Sequence, residues 1–337
     1  MPTRSAGTPV SFETRRLGER RLFWRTRCCL LVVAALSHCK QPADPPVPAV
    51  ATTVVAGGAL RSDPSSSQEF QQAHEREYAK GKMTAFTALS SHYIDAGKSL
   101  YLSVGSDAVV VVSEGQSDDR TLHFEVVGSD LFCRQGCGSH PGSVARYVTW
   151  DKGRFGIGAS PQSGGGRVIV YDSQHPSRLA FDGLKWFSVD PSWAVHAKFE
   201  AIAHPTQVKL TTSRGRTKEP WKVGHLSFRR DDTTHRLEAL SFSKSLLQAA
   251  DKKIGALFLA FSDATTGKAS YDVGRYIDLE ATLVDGRFVD QELVLDFNRA
   301  TNPLCAYSDH FNCPFPPKAN QLDIAVRAGE KRFTQDH

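Results

Sequence analysis

The sequence predicts a mainly β, β-rich α+β domain of antiparallel sheets in a sandwich- or barrel-like arrangement, in one or two lobes, with a short N-terminal helix. Three observations predict it. Short apolar runs and period-2 alternation dominate from Ser99 onward. Gly, Pro, Asp and Ser clusters punctuate those runs as turns. No regular βαβ alternation appears, which argues against a parallel doubly wound sheet.

In chain order, residues 1–38 read as an export signal. Arg15, Arg16, Arg20, Arg21, Arg25 and Arg27 form a basic region, and an uncharged run follows from Cys28 to Ser37. That run is shorter than the roughly 20 apolar residues of a membrane-spanning helix and suits a signal-peptide core. It leads into Leu36-Ser37-His38-Cys39, which resembles the bacterial lipobox with Cys39 as the acylated residue, although His38 stands where a small residue is usual. The expectation is export to the bacterial cell envelope, with lipid anchoring in the periplasm or outer membrane.

Residues 39–68 are rich in Pro, Ala, Ser and Gly and read as a tether, because such a composition cannot offset its ordering entropy by burial. The folded domain is expected over 69–333. Glu69 to Leu89, with Phe70, Ala73, Tyr78 and Phe86 among charges, predicts the helix, interrupted at Gly81. Strands are then predicted at Leu100–Val104, Ala108–Ser113, Thr121–Val127, Arg146–Trp150, Arg167–Tyr171, Ala194–Ile202 and Val208–Thr212. Further strands are predicted at His225–Phe228, Leu237–Phe242, Leu257–Phe261, Tyr276–Leu283, Glu292–Phe297 and Asp323–Val326, with an interior helix at Lys244–Lys253. In one of them Val195, Ala197 and Phe199 fall on a single face, the pattern of a sheet with one wet side. The loop-like stretch Asp172–Trp193, with Pro176 and Pro191, suggests a lobe boundary near 182–193.

Charge narrows the partners. The formal net charge is +5, and residues 1–38 with seven Arg and two Glu carry all of it. The remainder is near neutral and shows no concentrated basic patch, so nucleic acid is not an expected partner. The expected partners are the membrane, through the lipid anchor, and an unknown small molecule or envelope component. Several enzyme classes are absent as motifs: no Gly-x-Ser-x-Gly elbow, no HExxH and no Walker A. Gly136-Cys137-Gly138 and Gly156-Ile157-Gly158 each lack the third glycine of a dinucleotide fingerprint.

Of the seven cysteines, Cys28 and Cys29 leave with the signal and Cys39 is the lipidation candidate. Cys133, Cys137, Cys305 and Cys313 remain, an even set that in an oxidising compartment favours two disulfides, with the pairing open. The alternative is zinc, since Cys305, His310 and Cys313 form C-x4-H-x2-C and Cys133, Cys137 and His140 form C-x3-C-x2-H.

The densest polar cluster surrounds Leu295-Asp296-Phe297-Asn298-Arg299-Ala300-Thr301-Asn302-Pro303-Leu304-Cys305-Ala306-Tyr307. Asp296 and Asn298 alternate with apolar residues and share a strand face. With Asp296 and His310 as acid–base groups, and Arg275, Tyr276, Asn298, Asn302, Tyr307 and Glu330 as ligand contacts, the cluster reads as a hydrolase-type cleft. The competing reading is structural: Asp296 and Asn298 satisfy turn amides, and Arg275 pairs with Asp296 or Glu330.

This cluster, together with Gly274-Arg275-Tyr276, Asn312-Cys313-Pro314-Phe315-Pro316-Pro317 and Ala328-Gly329-Glu330-Lys331, resembles the bacterial and archaeal family known as domain of unknown function 1684. Asp172–Arg178, Phe181–Phe187, Asp190–Trp193 and the loop Asp263–Tyr271 are similar to it as well, so the resemblance spans roughly residues 70–333. Thr301 and Leu304 depart from its usual aromatic residue and proline. The resemblance implies no assigned activity; the cofactor is left unknown, with none favoured and zinc as the alternative. It also implies that the pair matching Cys305 and Cys313 recurs in members without an export signal, where a metal or reactive thiol suits it. In the loop, Asp263 is expected to cap the turn and Gly267 to take a positive φ. Two functions follow: a β-rich binding or structural module of the envelope whose motif loop is closed by its cysteines, or a hydrolase using Asp296 and His310.

Overall fold

The computed structural model describes residues 64–333 apart from 106–107, 117, 129, 138–147, 151–153, 163, 244–246 and 248–250. The signal segment, Cys39, the tether before Pro64, His140 and most of the expected Lys244–Lys253 helix lie outside the described residues.

Helix α1 runs from Pro64 to Lys80, so it begins inside the stretch assigned to the tether. It stops at Gly81, whose N–H closes the last turn on the Glu77 carbonyl at 2.7 Å. The expected continuation of the helix to Leu89 does not occur. Ala88–Asp95 is strand β1, and its Ser-Ser-His-Tyr-Ile run pairs with a distant strand instead.

The first half continues with β2 (Ser99–Val104), β3 (Val109–Val112), β4 (Thr121–Val127), β5 (Asp130–Gln135), β6 (Val148–Trp150), β7 (Phe155–Gln162) and β8 (Gly165–Asp172). They form two four-stranded antiparallel sheets, ordered β1-β8-β7-β6 and β3-β2-β4-β5. The sheets face each other over a shared core that includes Leu102, Leu122, Phe124, Leu131, Phe155, Ile157, Val168 and Val170. β5 and β7 were not foreseen. β7 carries Gly156, Gly158 and Pro161, and a Cβ at Gly156 would lie 2.6 Å from the Met83 sulfur, so close packing accounts for that glycine.

The second half holds β9 (Ala194–Gln207), β10 (Leu210–Thr211), β11 (Thr217–Lys218), β12 (Trp221–Arg230), β13 (Thr233–Ser241), β14 (Lys253–Phe261), β15 (Arg275–Val284), β16 (Arg287–Phe288) and β17 (Gln291–Asp296). Seven of them make one antiparallel sheet, ordered β16-β15-β14-β13-β12-β9-β17, and β10 and β11 make a small ribbon. Ala197 and Phe199 sit with Leu226, Leu237, Leu257, Leu259, Ile277 and Leu295 in its core, and Val195 packs against it, as the alternation predicts. The fold is therefore mainly β and antiparallel, as expected. Asp323–Val326, expected as a strand, is a loop. Its backbone makes single contacts rather than a ladder: Val326 N–H donates to Asp263, the Val326 carbonyl accepts from Arg275, and the Ile324 carbonyl accepts from Ala264 N–H at 3.0 Å.

β8 is buried along its whole length. Val168 and Val170 face the sandwich core, while Ile169 and Tyr171 face a third cluster with Tyr78, Phe86, Cys305, Tyr307, Phe311 and Cys313. That third cluster packs α1 and the C-terminal motif against the back of β8, and so positions the candidate site.

Candidate functional site

Arg275 opens β15 and is fully buried. Its Nη2 lies 2.7 Å from Asp263 Oδ2, with both side chains at 0% exposure, and donates to the Val326 carbonyl at 2.8 Å. Its Nη1 donates to the Ala328 carbonyl. Asp263 Oδ1 accepts from Thr265 N at 2.7 Å and Thr265 Oγ1 at 2.6 Å, which caps the turn, and Gly267 has φ +77°. Burial pulls the guanidinium below its usual range, and the Asp263 charge opposes that pull. This corrects two expectations at once. Arg275 pairs with Asp263, not with Asp296 or the Glu330 carboxylate, and its Nη donors are spent on Asp263 and internal carbonyls rather than on an open cleft, while its Nε is buried without a hydrogen-bond partner.

Two glycines permit this threading. Gly274 has φ +98°, and a Cβ there would lie 2.4 Å from the Phe261 carbonyl oxygen. Gly329 has φ +77°, and a Cβ there would lie 2.6 Å from the Ala300 carbonyl oxygen. The closing segment passes between loops too tightly for a side chain.

Asp296 ends β17 and caps the turn Phe297–Arg299: its Oδ1 accepts from Asn298 N at 3.0 Å and Asn298 Nδ2 at 2.9 Å. Its Oδ2 accepts from Ser67 Oγ of α1 at 2.6 Å, and Arg299 Nε lies 3.6 Å away. Asn298 also clasps Asp190, accepting from its N–H at 3.0 Å and donating to its carbonyl at 2.9 Å. Gln71 Nε2 reaches the Asn298 carbonyl at 3.0 Å. Asp296 and Asn298 thus dock the N-terminal helix onto the motif.

Glu330 is fully buried and accepts from Asn302 N at 2.9 Å and Tyr307 Oη at 2.5 Å. Burial raises its carboxyl to about 7, against the pull of those donors. Asn302 Nδ2 donates to the Lys331 carbonyl at 2.8 Å, and Tyr276 Oη donates to the Pro314 carbonyl at 2.5 Å. His310 lies elsewhere. Its carbonyl accepts from Arg167, and its half-buried ring feels Asp309, Arg214, His175 and Arg167; burial leads in lowering its pKa. Among the described residues Asp296 and His310 share no hydrogen-bond partner.

Cys133 and Cys137 are bonded to each other. Cys305 and Cys313, also expected in a disulfide, are free, buried thiols in side-by-side contact. Among the described residues no group of three or more His, Cys, Asp or Glu is placed to hold a metal.

Beside the motif, an open recess of about 390 Å³ is lined by Asp263, Asp272, Phe315, Pro316, Pro317 and Lys318, among others. Asp263, the partner of Arg275, is part of that lining, and Gly274 brings the chain within reach of Pro316. Sequence reasoning missed Ser67, because nothing local marks a serine whose partner lies 229 residues away. It named Asp263 as a turn cap, and only the three-dimensional contact adds its second role.

The family described as "Protein of unknown function (DUF1684)" matches residues 179–331. The solution NMR structure of an uncharacterized protein of Haloarcula marismortui is similar at 44% identity, over 48% of this chain and 82% of that one, with a TM-score of 0.37. No curated protein matches the chain.

Proposed function

We propose, for a chain that belongs to the DUF1684 family of proteins of unknown function, that it is an exported binding module of the bacterial envelope whose C-terminal motif is a buried frame rather than a catalytic cleft. The observation that carries this reading is how the motif spends its polar atoms. Arg275, Asp296, Asn298, Asn302, Tyr307 and Glu330 are all buried and turned onto one another, onto α1 or onto backbone groups. Such a frame stiffens the wall of the adjacent recess, where Phe315 is 40% exposed beside Lys318 and Asp272. A small envelope component with an apolar portion and a charged group suits that lining. The basic region, the uncharged run and Cys39 support export and a lipid anchor.

Complementation of a deletion strain tests the reading. Asp296→Asn and His310→Ala, which keep the frame, are expected to restore the phenotype, whereas Phe315→Ala with Lys318→Ala is expected to fail while remaining folded. Cys39→Ala is expected to move the protein out of the membrane fraction. A folded Asp296→Asn protein that loses function would favour the hydrolase and overturn the proposal.

A further inference from the structure

Where the first-half sheets meet the motif loop, Arg167, Lys218 and Arg216 gather as cations that no carboxylate answers. Arg167 lies on β8, directly across from Tyr93 of β1, and is 8% exposed. Its Nε donates to Ser91 Oγ at 3.0 Å and its Nη2 to the His310 carbonyl. The guanidinium lies 5.4 Å from the centres of both the Tyr93 and the Phe311 rings. Each of those partners is neutral, and Nη1 makes no hydrogen bond among the described residues.

Lys218 comes to the same place from the ribbon of β10 and β11. Its Nζ donates to Gln162 Oε1 at the end of β7, at 2.6 Å, again a neutral group. Burial, and after it the charge of Arg167, lower the Lys218 ammonium below its ordinary range, so the two cations act on each other. Arg216 lays its guanidinium over the Tyr93 ring at 3.7 Å, the same ring that Arg167 approaches. Arg216 is exposed and Lys218 half-buried, so the cluster runs from solvent inward to Arg167. Neighbouring cations are treated differently: Arg214 pairs with Asp309 at 2.5 Å, and Lys209 with Glu219 at 3.9 Å. Among the described residues Arg167, Lys218 and Arg216 have no such pair. Like charges held together in a partly buried place cost stability unless a counter-charge joins them.

We propose that Arg167 and Lys218, with Arg216 at the rim, bind a small phosphate-type dianion between β8 and the β10–β11 ribbon. Ser91, His310 and the two rings fix the Arg167 side chain while leaving donor capacity uncommitted, as an anion site requires. The planar fork of an arginine matches the oxygens of a tetrahedral anion, and the lysine adds a compact point charge. A cluster of three cations suits a dianion better than a single carboxylate. With Arg167 set at the inner end, the ligand is a small soluble anion, inorganic phosphate or a short phosphate monoester, rather than a headgroup held in a bilayer. None of these residues lines the recess beside Phe315, so this is a second site.

The test titrates the purified full chain with inorganic phosphate by calorimetry, and compares thermal melts in sodium phosphate with melts in sodium chloride of the same ionic strength. Phosphate is expected to raise the wild-type melting temperature above that in chloride, and further as its concentration rises. Lys218→Met is expected to weaken phosphate binding by about tenfold or more. Arg216→Gln changes an exposed side chain, leaves folding intact, and is expected to weaken binding several-fold. Lys209→Met, which removes a cation already paired with Glu219, is expected to bind as wild type does. Equal melting temperatures in phosphate and chloride would overturn the proposal, because screening alone would then explain any effect of salt. Unchanged affinity in both Lys218→Met and Arg216→Gln, or a loss in Lys209→Met as large as theirs, would overturn it too. So would binding to phosphatidylglycerol vesicles with no response to inorganic phosphate.

Discussion

Replacing Arg275 by Met removes one half of an ion pair in which neither side chain reaches solvent. Met keeps most of the apolar volume, so the loss falls on polar terms. Asp263 Oδ2 loses its Nη2 partner at 2.7 Å, while Oδ1 keeps the two Thr265 donors. The Val326 and Ala328 carbonyls lose their guanidinium donors, which loosens the segment ahead of Gly329. Stranding a buried charge costs about 3–5 kcal/mol, and each carbonyl left without a partner adds about 1–3 kcal/mol. Arg275→Met should therefore remove at least about 3 kcal/mol, a large share of a total stability of roughly 5–15 kcal/mol. Urea unfolding followed by circular dichroism measures it, read as a lower midpoint at unchanged slope. Adding Asp263→Asn to Arg275→Met removes the stranded charge and should restore part of the loss. A single variant costing under about 1 kcal/mol, or a double variant no more stable than Arg275→Met, would refute the claim that this pair bolts the C-terminal segment in place.

The carboxyl of Glu330, raised to about 7 mainly by burial, is held neutral by the fold, whereas in the unfolded chain it ionises near 4.5. Its stabilising contribution is thus fully present below 4.5 and is lost as pH rises through about 7, on the order of 3 kcal/mol in all. Glu330→Gln should flatten the stability–pH curve across that window, and an unchanged slope in thermal melts would sink the assignment. Ser67→Ala deletes the 2.6 Å hydrogen bond to Asp296 and should cost about 1.5–3 kcal/mol, with faster amide exchange along α1. Unaltered exchange in α1 would show that Asp296 does not anchor the helix.

The β architecture was legible because burial imposes a period of two locally: Val195, Ala197 and Phe199 announce their face within five residues. The capping roles of Asp263 and Asp296 were legible too, since an Asx turn closes on a backbone amide two residues along. β1 was not, because helix and strand compete there and the deciding partner, β8, lies far along the chain. Nor was β7, where only the approach of Met83 shows why Gly156 carries no side chain.

By itself the sequence determined the fold class, the family resemblance and the segments that must turn, because each is written in neighbouring residues. Only the tertiary structure decided that Arg275 faces Asp263, that Asp296 holds Ser67, and that Cys305 and Cys313 meet as free thiols. Those pairings come from which buried charges and donors must find partners when distant loops close on one core, and no local pattern encodes that choice.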